Sequence, residues 1–273
     1  ITAIKNLNEG KDLERYINVD ATLRYFAAHN TVVNLDSYST TLQQNYYIYE
    51  RDGQLTFLPW DYGLSFGGFL SNSLLNVINF PIDTPVSGIS MESRPLLNKL
   101  LEVEEYRERY HEYLWQIVEG YFESGLYLDT IRNLDSKIGA FVKENPSSFV
   151  TYEQYAASLP HLVDIGRLRA VSIRRQLDGT IPATTEGQIA NRMALVFSPT
   201  VNLNALGSLT MGMGQGGMAN LASQENLQDA ENALREARAR SIANILYIAI
   251  VFAALGGTAL AISLSSGSRR LRQ

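Results

Sequence analysis

Asn34-Leu35-Asp36-Ser37-Tyr38, Asn45-Tyr46-Tyr47-Ile48-Tyr49 and Pro59-Trp60-Asp61-Tyr62-Gly63 are the three blocks of the stretch, residues 34–67, whose reading decides the fold. Tyr46 to Glu50 and Gln54 to Leu58 are rich in aromatic and β-branched residues, and Arg51-Asp52-Gly53 between them has the chemistry of a short hairpin loop. Antiparallel pairing returns the chain to its starting point. Asn45 enters the first strand and Trp60 leaves the second, so they become cross-strand neighbours, and Asp61 comes to lie beside the loop that carries Asp36. Two carboxylates 25 positions apart in sequence are thereby placed on one rim.

Such a rim meets the demands of phosphoryl transfer. That chemistry uses one carboxylate to orient or deprotonate the attacking hydroxyl and another to hold the metal ions on the nucleotide phosphates, often with an Asn as second ligand. Asp61-Tyr62-Gly63 has the form of a D-F-G signature with Tyr for Phe. With these residues in view, the chain resembles the CotH-type (spore coat protein H) atypical kinases, which are secreted or surface-located. The likeness is carried by Val33-Asn34-Leu35-Asp36-Ser37-Tyr38, Asn45-Tyr46-Tyr47-Ile48-Tyr49-Glu50, Leu58-Pro59-Trp60-Asp61-Tyr62 and Ser65-Phe66-Gly67. It continues through Arg94-Pro95-Leu96, Glu105-Tyr106-Arg107-Glu108-Arg109-Tyr110 and Thr151-Tyr152-Glu153, about the first two-thirds of the chain. The resemblance implies that Asp36 is the catalytic carboxylate, that Asp61 binds metal and nucleotide, and that Asn45 is the second ligand. It also implies ATP with Mg²⁺ or Mn²⁺. Thr41 stands where the usual kinase Asn would fall, and Gln44 replaces the His that often precedes Asn-Tyr-Tyr in the family.

Composition sets the outer bounds. A chain of 273 residues, 45% apolar, holds one ordinary domain plus extensions, and a net charge of -5 argues against a nucleic-acid partner. The absence of Cys excludes disulfides and thiolate metal sites. His29, His111 and His161 have no ligand spacing and are expected to be surface or partly buried side chains. The chain starts at Ile1, not Met, and shows no signal peptide, so it is read as the C-terminal part of a longer precursor; the Gly-rich loop and Lys of a nucleotide-covering lobe are not visible in it.

Along the chain, Asp20 is the expected N-cap of a helix bearing Leu23, Phe26 and Ala27, which delivers the chain to Asp36. Leu64 to Ser73 occupies the place of an activation segment, and Asn79 to Pro85 reads as loop. Helices are expected after Ser93, through the Tyr106/Tyr110/Tyr113 stripe, and from Leu128 to Val142. Thr151 is expected to cap a short helix and Pro160 to open a longer one whose Arg167, Arg169, Arg174 and Arg175 form a solvated face.

Past Pro182 the chain turns polar and Gly-rich, with Met211 to Met218 at its centre, and reads as linker. Ile245 to Leu264 carries no charge over 20 residues, about 30 Å at helical rise, enough for a bilayer core. Arg269, Arg270 and Arg272 beyond it place the C-terminus in the cytoplasm. The expected architecture is α+β: the C-lobe of a protein-kinase-like fold over 1–182, a linker and charged juxtamembrane helix over 183–241, one transmembrane helix over 242–264 and a basic tail over 265–273. The expected function is a membrane-anchored, extracytoplasmic CotH-like kinase that transfers the γ-phosphate of ATP to Ser or Thr of surface or spore coat proteins. The alternative is a catalytically silent kinase-like surface binding module. The partners would be a protein substrate and the lipid bilayer.

Overall fold

The computed structural model describes residues 2–206, apart from 70, 72, 147 and 149. Three helices come first: α1 (Thr2–Glu9), α2 (Leu13–Tyr16) and α3 (Val19–Thr31). The hairpin β1 (Tyr46–Arg51) and β2 (Gln54–Pro59) follows, then α4 (Leu74–Ile78), α5 (Pro95–Leu101), α6 (Glu104–Ile117), α7 (Leu126–Glu144), α8 (Tyr152–Leu177) and α9 (Thr185–Ala190). This is a mixed α+β chain with a small two-stranded sheet. Among the described residues no helix is long and apolar enough to cross a membrane, and the span expected over 242–264 lies outside them.

The hairpin forms as its sequence directs. Arg51 pairs with Gln54 and Tyr46 with Pro59, so the loop is the dipeptide Asp52-Gly53, one residue shorter than expected. Both turn residues have positive φ, 53° and 80°, the geometry whose twist matches the flanking strands. Alternation along β2 buries Leu55 and Phe57 and turns Leu58 and Trp60 outward. A backbone bond from Asn18 N to Leu55 O (2.8 Å) fastens the inner edge to the start of α3.

Asn18, not Asp20, caps α3: its Oδ1 accepts from Ala21 N at 3.2 Å. Both residues are good caps, and burial decides between them. Helix entry at Asn18 puts Val19 in the core at 4% exposure, while Asp20 moves to the first turn and takes Arg24 at 2.9 Å.

Residues 151–177 also differ from expectation. A single helix, α8, runs through Pro160 from a capping box in which Gln154 N donates to Thr151 Oγ1 and Thr151 N donates to Gln154 Oε1. Pro160 removes one helical bond, yet the helix persists because its later turns bury Ile165, Gly166, Ala170 and Ile173. Tyr127 of α7 lies over Gly166, where a Cβ would overlap its ring, and donates its hydroxyl to Leu162 O at 2.7 Å.

The main core joins α1 to α3, the inner hairpin face, α5, α6 and Ile173 of α8, with Leu23, Phe26, Leu97, Leu100 and Leu114 among its residues. A second cluster, Val33, Leu35, Val77, Phe80 and Ile165, lies directly under the Asp36 loop. Val201, Leu203 and Leu206, which the sequence reading assigned to the linker, pack against that cluster. Arg169 is not on a solvated face. It is wholly buried and spreads its guanidinium over the carbonyls of Asn30, Thr31, Ile78 and Phe80. Arg174 is outside, paired with Glu119 and Glu123.

Candidate functional site: two acidic loops joined on one asparagine

When α3 ends at Thr31 the chain must turn sharply, and Val33 takes φ 48°, a left-handed conformation that a β-branched residue rarely adopts. Asn34 then organises the corner. Its Oδ1 accepts from Asp36 N at 3.1 Å, a local turn that short amide side chains favour, and its Nδ2 donates to Asp61 O at 3.1 Å. The backbones of Asp36 and Asp61 are therefore held by the two ends of one side-chain amide. The sequence had placed these loops side by side through the hairpin, and the structure brings them together as expected.

Asp36 is 8% exposed. Asn45 Nδ2 donates at 2.8 Å both to its Oδ2 and to its backbone carbonyl, and the Gln44 amide donates to Oδ1. Asn45 is thus seated on Asp36, and its side-chain oxygen is the atom it can offer to a cation. A carboxylate oxygen has two lone-pair sites, so each oxygen of Asp36 keeps one for a further donor.

Asp61 is exposed, with φ 48°, and its Oδ1 accepts from Gly63 N at 3.2 Å. Trp60 beside it is 55% exposed and meets Tyr47 edge-on, with ring centres 5.1 Å apart. Of the seven non-glycine residues with positive φ among the described residues, Val33, Gln43, Asn45, Asp61 and Phe66 belong to the segments that frame the two acids. Strained backbone of this kind persists only where its surroundings fix it, and it gathers at working sites.

Several of the fixing groups had no sequence signal beyond their residue type. Arg94, 3% exposed, donates to Tyr38 O (2.6 Å), to Thr40 O and to Ser93 O (2.7 Å), so one guanidinium holds the loop that follows Asp36. Burial pushes the Tyr38 phenol up to about 12. His29, expected near the surface, is 1% exposed behind the two loops; burial lowers it to about 4, so the ring is neutral near pH 7. Phe66 N donates to Val32 O and Gly67 N to Val33 O (3.3 Å), closing the segment after Asp61 back onto the end of α3.

Neither Asp36 nor Asp61 has an ion-pair partner among the described residues. The oxygen donors on offer, two carboxylates and an amide, are those that a hard divalent cation prefers. No cluster of three His, Cys, Asp or Glu side chains arranged to hold a metal occurs among the described residues.

The structure thus shows a small hairpin set on a helical body, with an acid on each of its two flanking loops. The chain belongs to the CotH kinase protein family, whose family model matches residues 1–173. A comparison with curated proteins gives no match.

Proposed function

We propose that the chain is the acid-bearing part of a metal-dependent phosphotransferase that moves the γ-phosphate of ATP to a Ser or Thr hydroxyl of a protein. The observation that carries this reading is the shared clamp: Asn34 ties Asp36 to Asp61, and neither carboxylate is neutralised by a basic side chain among the described residues. Asp36, oriented by Gln44 and Asn45, accepts the proton of the attacking hydroxyl. The hydroxyl oxygen bonds to the γ-phosphorus, the bond to the β-phosphate oxygen breaks, and ADP leaves. Asp61, with the side-chain oxygen of Asn45, would hold Mg²⁺ or Mn²⁺, which supplies charge neutralisation at the phosphates. An exposed carboxylate suits an ion that keeps water and phosphate oxygens in its shell.

The test is transfer of labelled phosphate from ATP in the presence of Mg²⁺ or Mn²⁺, comparing the natural chain with Asp36→Asn and Asp61→Asn. Loss of transfer in both variants is the expected result. Equal incorporation by all three removes the proposal.

One observation favours a second reading, a catalytically silent surface module: amide donors occupy both oxygens of Asp36. Calorimetry separates the two, because the silent module gives no heat with ATP and Mg²⁺. In either case we place the protein at the cell membrane, with residues 245–264 as a single-pass anchor and the kinase-type region outside, on the grounds of their uncharged sequence and the basic tail. Deletion of 245–264 should release the protein from the membrane fraction.

A further inference from the structure

Behind the two acidic loops lies a group that phosphate transfer itself does not require. His29 Nδ1 is 2.8 Å from Tyr62 Oη, and Nε2 is 3.0 Å from Ser37 Oγ and 3.2 Å from Ser39 Oγ. Tyr62 follows Asp61, and Ser37 follows Asp36. The residues next to the two acids thus bind opposite edges of one imidazole.

Hydroxyls hold the ring from both edges. Ser37 Oγ donates its hydrogen to Asn34 O at 2.8 Å, so it meets His29 as an acceptor. Ser39 Oγ, on the same nitrogen at 3.2 Å, can donate to it or accept from it, so the serine pair meets Nε2 and the Tyr62 hydroxyl meets Nδ1 in either tautomer of the ring. Burial keeps the ring neutral and holds the Tyr62 phenol protonated, pushed up to about 12. The rings of Tyr25, stacked at 5.3 Å, and Phe26, edge-on at 6.4 Å, fix the plane of the imidazole.

Together with the Asn34 bond to Asp61 O, the path closes on itself: Tyr62 to His29, His29 to Ser37, Ser37 to Asn34, Asn34 to the residue before Tyr62. We propose that His29, held between the Tyr62 hydroxyl and the Ser37/Ser39 hydroxyls, is a positioning residue that sets the Asp61 loop at a fixed separation from the Asp36 loop. A rigid ring suits this work better than a flexible side chain, because it spans the gap with little conformational freedom to lose. Asp61 has φ 48°, and the Tyr62 hydroxyl and the Asn34 amide both hold that turn from outside it.

The consequence for catalysis rests on the phosphotransfer reading, but the coupling does not, and the experiment separates them. Tyr62→Phe in the full chain removes one hydroxyl and keeps the ring. Hydrogen exchange is followed in residues 35–40, in 60–67 and, as reference, in α8. Loss of one buried bond should raise exchange about three- to tenfold in both loop segments and leave α8 as it was. Exchange raised in 60–67 alone, raised throughout the molecule, or unchanged overturns the inference. Ser37→Ala, at the opposite edge of the ring, should loosen 60–67 in the same way, and a 60–67 segment indifferent to it also overturns the coupling. In phosphate transfer, Tyr62→Phe should raise the metal concentration for half-maximal rate several-fold and leave the rate at saturating metal close to the natural one. A fall in the saturating rate with unchanged metal dependence overturns the positioning role. Coupled exchange in a chain that neither binds ATP nor transfers phosphate would sink the phosphotransfer reading and uphold the bridge.

Discussion

Acid should loosen this fold through His29 in particular. In an unfolded chain an imidazole titrates near 6.5, and in the folded protein His29 is held down at about 4 because the ring is buried and no carboxylate faces it. Its described partners are hydroxyls, aromatic rings and the Asn34 backbone carbonyl, whose upward pull is smaller than the downward effect of burial. The unfolded state therefore takes up a proton that the folded state refuses. The stabilisation is complete above pH 6.5, begins to fall below it, and is exhausted near pH 4. At pH 4.5 the unfolded form of this group is almost wholly protonated and the folded form mostly is not, which amounts to about 2.5 kcal/mol of lost stability relative to pH 7.5. Urea unfolding at the two pH values, on the natural chain and on His29→Gln, isolates the effect, because every other titrating group is common to both. The natural chain's advantage over the variant should shrink by about 2.5 kcal/mol on going to pH 4.5. An advantage that stays the same, or an NMR titration of His29 in the natural chain with its midpoint above 6, refutes the reasoning.

Other perturbations test the packing that supports the site. Arg169→Lys cannot reach the carbonyls of Asn30, Thr31, Ile78 and Phe80 together, and should cost about 3 kcal/mol in urea unfolding with an unchanged slope. Gly166→Ala drives a methyl into the Tyr127 ring and should cost about 2 kcal/mol; Tyr127→Leu in the same chain should recover part of it in thermal unfolding. Thr151→Ala removes the cap of α8 and should cost about 1 kcal/mol, with extra hydrogen exchange confined to the first turn of the helix.

The parts of this fold that the sequence discloses are those made by near neighbours. The hairpin follows from its two β-rich runs and the turn residues between them, although its register is tighter by one residue than that reading, and the meeting of the Asp36 and Asp61 loops follows from the hairpin. The α6 stripe of Tyr110, Tyr113 and Leu114 is buried as its spacing says. What the sequence conceals depends on partners far along the chain. Arg169 sits in a run of arginines, and nothing local separates the one that meets carbonyls 89 to 139 positions away from Arg174, which faces solvent. Pro160 reads as a helix start by local rules, and only the packing of Ile165, Ala170 and Ile173 reveals that the helix continues through it. His29 lacked ligand spacing because its partners are hydroxyls on other loops, a pattern that no interval between histidines records.

The two buried arginines share a logic that bears on the acids. Loops that present Asp36 and Asp61 must be irregular, and their carbonyls find no ladder or helix to accept from. Arg94 serves Tyr38 and Thr40 after Asp36, and Arg169 serves Asn30 and Thr31 before it, so guanidinium forks take the place of secondary structure on both sides. Burying a cation against neutral carbonyls is a costly choice when a carboxylate stands in the next loop. Had Arg94 turned to Asp36 instead, the ion pair would have satisfied the arginine and left the loop carbonyls unpaired. By binding carbonyls, both arginines leave the negative charge of the two acids uncompensated within the described protein, and that residual charge is what a divalent cation carrying phosphate would answer.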